Sequence, residues 1–277
     1  MNQIVTNSLG MKFVLIPPGT FLMGSPKEEK YRYRDETQHK VTLTKGFYMG
    51  VYAVTQEEWQ AVVDNNPSVF KGQRNLPVDA VCWEDCDSFV SILRKKDEKP
   101  YRMPTEAEWE YACRAGTTTM FHFGNTISTD KANYDDETGY GTQKKGLCRQ
   151  KTIPVGSFPP NAFGLCDMHG NIREWCADWY GDYSQDDTVD PVGPLNGHDR
   201  VLRGGSWGDG PVYCRSAFRH HLDPQRHCHD LGFRVCFGLD ALTPWQQYIK
   251  QKMDRFCIEA SPENMQRFLE NLGIRGH

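Results

Sequence analysis

Histidine, cysteine and carboxylate side chains are the groups through which this chain could bind a metal or act as acid, base or nucleophile, and their distribution is uneven. Four of the nine histidines, His220, His221, His227 and His229, crowd into residues 200–237, RVLRGGSWGDGPVYCRSAFRHHLDPQRHCHDLGFRVCF. His227, Cys228 and His229 are consecutive, so on an extended chain they point alternately to opposite sides and do not converge on one ion. The ten cysteines are scattered, with Cys82 and Cys86 the one close pair and no paired C-x-x-C spacing of the kind a structural zinc site uses. They read as reduced, buried thiols acting as small hydrophobes. Oxygen donors of the type calcium takes occur at Asn133, Asp135, Asp136, Asn171 and Glu174, although the first three also suit turns.

Elements that could position these groups follow from periodicity and capping signals. Residues 12–24 (KFVLIPPGTFLMG) predict a hairpin about a Pro-Pro-Gly turn, followed by a charged loop over 27–38. Alternation of Val41, Leu43, Phe47, Met49 and Val51 predicts strand. Thr55 with Glu58, and Thr105 with Glu108, are capping boxes that open helices, the second ended by Gly116. A further helix, with Phe89, Ile92 and Leu93 on one face, lies between them, and Trp59, Trp83, Trp109 and Tyr111 are expected to pack inward. From 117 to 200 the chain is rich in Gly, Asn, Asp, Thr and Pro and predicts little regular structure. The stretch 200–237 has strand-like ends, Val201-Leu202 and Phe233-Val235-Phe237, around a long irregular middle, which in a compact domain is usually functional.

Bulk properties narrow the class. With 277 residues, 38% hydrophobic, the chain can bury a sizeable core, and a net charge of -4 offers no global basic surface for nucleic acid. Neither a signal peptide nor a run of about 18 apolar residues is present, so a cytoplasmic protein with no membrane or nucleic-acid partner is expected.

The phrases MKFVLIPPGTFLMGS, YAVTQEEW, PVDAVCWEDC, RMPTEAEWEYACRAG, FGLCDMHGNIREW, VLRGGSW and LGFRVCF, in that order over about residues 8–238, closely resemble the formylglycine-generating-enzyme-like (sulfatase-modifying-factor) domain. The resemblance implies an α+β, C-type-lectin-like fold with few regular elements, long ordered loops and often bound calcium. It places one structural calcium on backbone oxygens and one carboxylate over His169, Gly170, Ile172 and Glu174, with Glu174 supplying the charge. A second calcium would begin at Asn133 and Tyr134, but the acidic residue it needs is missing from KKGLCRQK.

In the family's oxidase, two cysteines after GGS, five positions apart, bind copper and engage a substrate cysteine. Counted forward from Gly204-Gly205-Ser206 these positions hold Asp209 and Cys214; counted back from Leu231-Gly232-Phe233-Arg234 they hold Ser206 and Pro211. Either way a cysteine is missing and no copper is expected. The frame RGGSW, CRSA and LGFR is similar instead to the variable proteins of diversity-generating retroelements, in which asparagine codons of a template become any residue with a pyrimidine third base. Between Gly208 and Asp230 every residue except Gln225 is reachable that way.

The resulting expectation is a ligand-binding module over 1–238, with a recognition surface for a protein ligand made of Trp207, Gly208, Asp209, Val212, Tyr213, Phe218, His220, His221, Leu222, His227, His229 and Asp230. Trp207, Arg215, Arg219 and Arg234 are expected to anchor it. The alternatives are a metal-dependent enzyme of the same family, or an adaptor acting through a helical extension over 239–277. There Trp245, Ile249, Met253 and Phe256, then Met265, Phe268, Leu269 and Leu272, fall at helical spacing and could dock a partner protein.

Overall fold

The computed structural model describes residues 4–137 and 146–238. Its strands are β1 (Ile4–Thr6), β2 (Lys12–Ile16), β3 (Gly19–Met23), β4 (His39–Leu43), β5 (Phe47–Gly50), β6 (Arg173–Trp179), β7 (Thr188–Val189), β8 (Arg200–Arg203), β9 (His220–Leu222), β10 (Leu231–Phe233) and β11 (Cys236–Gly238). The helices are α1 (Gln56–Val63), α2 (Trp83–Asp97) and α3 (Glu106–Arg114), with a 3-10 turn at Pro211–Cys214. No helix among the described residues is long and apolar enough to cross a membrane.

Strands form over 12–16 and 19–23, but the expected hairpin does not. β2 pairs with β1 and β5, whereas β3 pairs with β4 in a different sheet. Pro17 and Pro18 stand between them without an N–H to donate to a ladder, and the chain turns out of one sheet into the other. Lys45-Gly46 does the same between β4 and β5, so Val41 and Leu43 are buried in one sheet and Phe47 and Met49 in another. Three sheets result, ordered β1-β2-β5-β11, β10-β6-β8-β9 and β3-β4-β7. β6 lies within the span expected to lack regular structure; between α3 and β6 the described residues hold only isolated bridges.

Period-2 alternation sends successive residues of the sheets into two different cores. Phe13, Trp175, Leu202 and Phe237 pack with α1 and α2 around Trp59 and Phe89, while Val14, Cys176, Val201 and Cys236 pack with α3 around Trp109. Trp59, Trp109 and Tyr111 are buried as expected, and Trp83 is half-buried beneath the Arg200 guanidinium, 3.8 Å from its ring. Both predicted capping boxes form: Glu58 N–H donates to Thr55 Oγ1 at 3.2 Å and Thr55 N–H to Glu58 Oε2 at 2.8 Å, and the Thr105/Glu108 pair matches it at 3.2 and 2.9 Å. At the other end of α3, Ala115 takes the left-handed position and Gly116 follows at φ 90°. The described cysteines are free thiols, most of them buried, as their scatter implied.

α3 buries charge as well as hydrophobes. Glu106, Glu110 and Arg114 are all enclosed, because arginines from the far end of the chain come to meet the two carboxylates. Asp178 caps this helix, accepting Glu106 N–H at 2.9 Å, and is buried beside the Glu106 carboxylate. Burial first, then that neighbouring charge, push its carboxyl up to about 7. A carboxyl raised in the folded state binds a proton that the unfolded chain releases near pH 4, so its stabilising share is whole below about pH 4 and is lost as pH rises towards 7. Asp178→Asn is therefore expected to gain stability relative to wild type progressively between pH 4 and 7, with a constant difference above. Urea melts of both proteins at several pH values check this, and a pH-independent difference would contradict it.

Candidate ligand-binding face

The irregular stretch after β8 is held by arginines that point inward. Arg203 donates to the carbonyls of Ser216 and Phe218, both at 2.8 Å, and pairs with Glu110. Arg219 makes a two-pronged pair with Glu106 at 2.7 and 2.8 Å and reaches the Gly181 carbonyl at 2.9 Å. Arg215, fully buried, donates to both Glu36 oxygens at 2.6 and 2.9 Å, to Glu29 at 2.6 Å and to the Tyr31 carbonyl at 3.0 Å. The Arg215 contacts seat the charged 27–38 loop directly against the stretch. Arg215, Arg219 and Arg234 are thus anchors as expected.

Seating that loop creates an aromatic patch that sequence reasoning missed. Tyr33 lies 5.3 Å from the Phe218 ring and 6.5 Å from Tyr213, and Phe218 is edge-on to Tyr213 at 5.1 Å. Tyr31, Tyr33 and Tyr213 are each about 40% exposed, and Tyr31 holds φ 65°, a strained value for a bulky residue. The alternating Tyr31-Arg32-Tyr33-Arg34 was the available signal, but only Arg215 reveals where the loop docks. A second patch joins Phe70, Trp207 and His229, with ring separations of 5.3 Å from Phe70 to Trp207 and from Trp207 to His229. It borders a cleft of about 500 Å³ shared with Asp135, Cys148 and Asp230.

The expected recognition residues divide. Gly208, Tyr213, His221, His227 and His229 are exposed, and Trp207, Val212, His220, Leu222 and Asp230 are half-buried. Trp207 therefore sits on the face rather than acting as a buried anchor. Phe218 and Asp209, expected at the surface, are buried. Phe218 is covered by Tyr33 and Tyr213. Asp209 pairs with Arg173 and accepts from Ser206 N–H and Oγ–H at 2.9 Å each, while Asp230 takes the other arm of Arg173 at 2.8 Å. His221 stacks on Tyr180 at 3.9 Å and bonds Asp199. His227 turns to Asp85 and His229 to Trp207, so the two diverge although alternation on an extended chain would put them on one side; the backbone here is irregular.

At the two positions the family's oxidase gives to copper-binding cysteines, the chemistry differs. Asp209 is committed to Arg173, and the Cys214 sulfur is enclosed, with burial driving its thiol well above the usual range. Alternative candidates Ser206 and Pro211 offer no sulfur.

The segments expected to hold calcium do come together, and within them the Glu174 carboxylate is already engaged by the protein. Asn171 N–H donates to the Asn133 carbonyl at 2.7 Å, joining the two segments, and a Cβ on Gly170 would stand 2.3 Å from that same oxygen. The Gly170 carbonyl accepts Ile172 N–H at 2.9 Å. His169 is buried; its Nε2 accepts His122 N–H at 3.1 Å, so Nδ1 carries the proton and donates to the Cys214 carbonyl at 2.7 Å. Burial, with His122 stacked alongside, lowers its pKa to about 3, leaving it neutral. Both Glu174 oxygens are engaged, by Arg234 at 2.8 and 3.1 Å and by Trp109 Nε1–H at 2.8 Å. The charge assigned to calcium is neutralised by Arg234 instead. At the second position Tyr134 is buried with its hydroxyl on the Ile127 carbonyl, and Asn133 bonds Asn171 and the Lys151 carbonyl.

Removing the Glu174 charge leaves the Arg234 guanidinium buried and unpaired, a loss of about 3–5 kcal/mol. Glu174→Gln is expected to melt far below wild type whether or not calcium is present, and EDTA should leave the wild-type melt unmoved. A calcium-dependent rise in wild-type Tm that the variant lacks would restore the calcium assignment.

Comparison with known proteins matches the geometry. The model of the sulfatase-modifying factor enzyme 1-like domain aligns with residues 3–238. Mouse formylglycine-generating enzyme is 30% identical over 278 residues, covering 80% of this chain and 74% of its own length. Among solved structures, PvdO from Pseudomonas aeruginosa superposes with a TM-score of 0.75 at 31% identity, covering 86% of this chain and 98% of its own. Treponema denticola variable protein 1 does so with 0.71 at 29%, covering 86% and 99%. The fold is the α+β, C-type-lectin-like one that the motifs implied, with little regular structure and long ordered loops. With nearly the whole described chain matched, this protein belongs to the family of sulfatase-modifying factor enzyme 1-like domains.

Proposed function

We propose that the chain is a ligand-binding module whose aromatic and histidine-rich face recognises a protein surface, and that it does not convert cysteine to formylglycine. The observation that carries this reading is a division of labour within one segment. Arg203, Arg215, Arg219 and Arg234 fix the backbone from inside, while Gly208, Tyr213, His221, His227 and His229 are exposed to solvent. A rigid loop with interchangeable outward residues is what a diversified recognition surface requires. Tyrosine and tryptophan give it large contact area at low entropic cost. The likeness to a protein named a variable protein supports the same reading. The mouse relative is named a formylglycine-generating enzyme, but here the pair Asp209 and Cys214 supplies one enclosed sulfur and an arginine-bound carboxylate.

Alanine at Tyr213, His221 or His229 is expected to change stability by no more than about 0.5 kcal/mol, as exposed substitutions typically do. Arg215→Ala, which strands the buried Glu36, should cost several times that. Thermal melts that rank Tyr213 with Arg215 would mean the face is core. Copper-loaded protein incubated with a CxPxR peptide should show no mass change at cysteine, and turnover above background would refute the binding-module reading. The gene's surroundings are expected to hold a reverse transcriptase and a near-copy of the codons for 200–237.

A further inference from the structure

At the edge of the recognition face, Cys82, Asp85 and His227 bring three different metal-ligating side chains to one point from two separate segments. Their ligand atoms, one sulfur, one carboxylate oxygen and one imidazole nitrogen, all lie within 4.8 Å of one another, and His227 Nε2 is 2.8 Å from Asp85 Oδ2. We propose that these residues form a site for a divalent transition metal of the zinc class, which clips the segment 223–230 to the start of α2.

Three observations support the clip. First, the ligand set is one that zinc takes and calcium does not, since thiolate and imidazole are soft or borderline donors. Second, the segment is already docked there by its backbone: Trp83 N–H donates to the Pro224 carbonyl at 2.9 Å and Ala80 N–H to the Cys228 carbonyl at 3.1 Å. The histidine is thereby delivered to the helix before any metal arrives. Third, α1 and α3 are capped by threonine, whereas α2 has cysteine at that position, a poor choice for a cap alone.

Tetrahedral zinc with bonds of about 2.0 to 2.3 Å holds its ligand atoms roughly 3.5 Å apart. Closing on the ion thus takes a movement of about an ångström or less, and Asp85 Oδ2, which accepts Cys82 N–H at 3.1 Å, is already held beside the thiol. Asp85 and His227 are 42% and 55% exposed, and only Cys82 is fixed by burial. Three protein ligands leave the fourth position to water. Because His229 lies two residues on and faces Trp207, a metal at His227 would take that one position of the recognition face and stiffen its edge. The site itself does not depend on what that face binds.

The test is a cobalt titration of the full, tag-free chain, read by the thiolate-to-cobalt charge-transfer absorption that oxygen and nitrogen ligands alone do not give. Wild type should develop the band with one equivalent and lose it on adding zinc. Cys82→Ser should abolish it, and His227→Ala, on an exposed side chain that the fold can spare, should weaken cobalt binding at least tenfold, roughly the loss expected of one ligand. No band in wild type, or a band unchanged in His227→Ala, overturns the proposal. Should Cys82→Ser fail to fold, the His227 variant decides alone.

Discussion

Buried arginines paired with buried carboxylates are the constraint on which this structure rests. A domain built largely of irregular loops leaves many backbone carbonyls without a ladder to join, and each must find a donor. Arginine supplies five N–H groups in a planar fork, so a single side chain can neutralise a carboxylate and still reach two or three carbonyls. Arg234 does this between Glu174 and the carbonyls of Gly50, Val51 and Cys166, joining segments that are far apart in sequence. Arg203, Arg215 and Arg219 repeat the pattern around α3 and the 27–38 loop. Desolvating such pairs is costly and adds little net stability over apolar packing. Their return here is geometric: they set where each loop lies.

What could be read from the sequence was mostly local. Capping boxes at Thr55 and Thr105 involve residues three apart, so their signals survive without tertiary knowledge, and inward tryptophans follow from helical spacing. The ordered motifs carried the fold. What could not be read depends on partners distant in the chain. Nothing near Glu174 announces that Arg234 and Trp109 will reach both its oxygens. Likewise Phe218 looks like a surface residue until Arg215 brings Tyr33 over it, and Asp209 until Arg173 crosses from β6. The false hairpin at Pro17-Pro18 has the same origin, because strand pattern gives the face of a strand but not the sheet it joins.

Counted forward from Gly204-Gly205-Ser206, the positions that the resemblance gives to the oxidase's thiols hold Cys214, enclosed in the domain, and Asp209, whose carboxylate ties β6 to the loop after β8. Arg173 holds Asp209 and Asp230 together, so the two ends of the long stretch are bridged by one guanidinium. A loop closed at its base in this way keeps its shape while its outward residues differ.

The sheet order β1-β2-β5-β11 places the first described strand and the last in one sheet, with β11 bonded to β5 across nearly two hundred residues. A chain made from its N-terminus onward accordingly cannot finish either core while it is being synthesised, since Phe233 and Phe237 belong to one and Cys236 to the other. The first sheet waits with an open edge, and Glu174 without its cation, until the final residues of the domain leave the ribosome. Folding must then close contacts of very long sequence separation in a late, concerted step. Such topologies fold slowly and expose strand edges meanwhile.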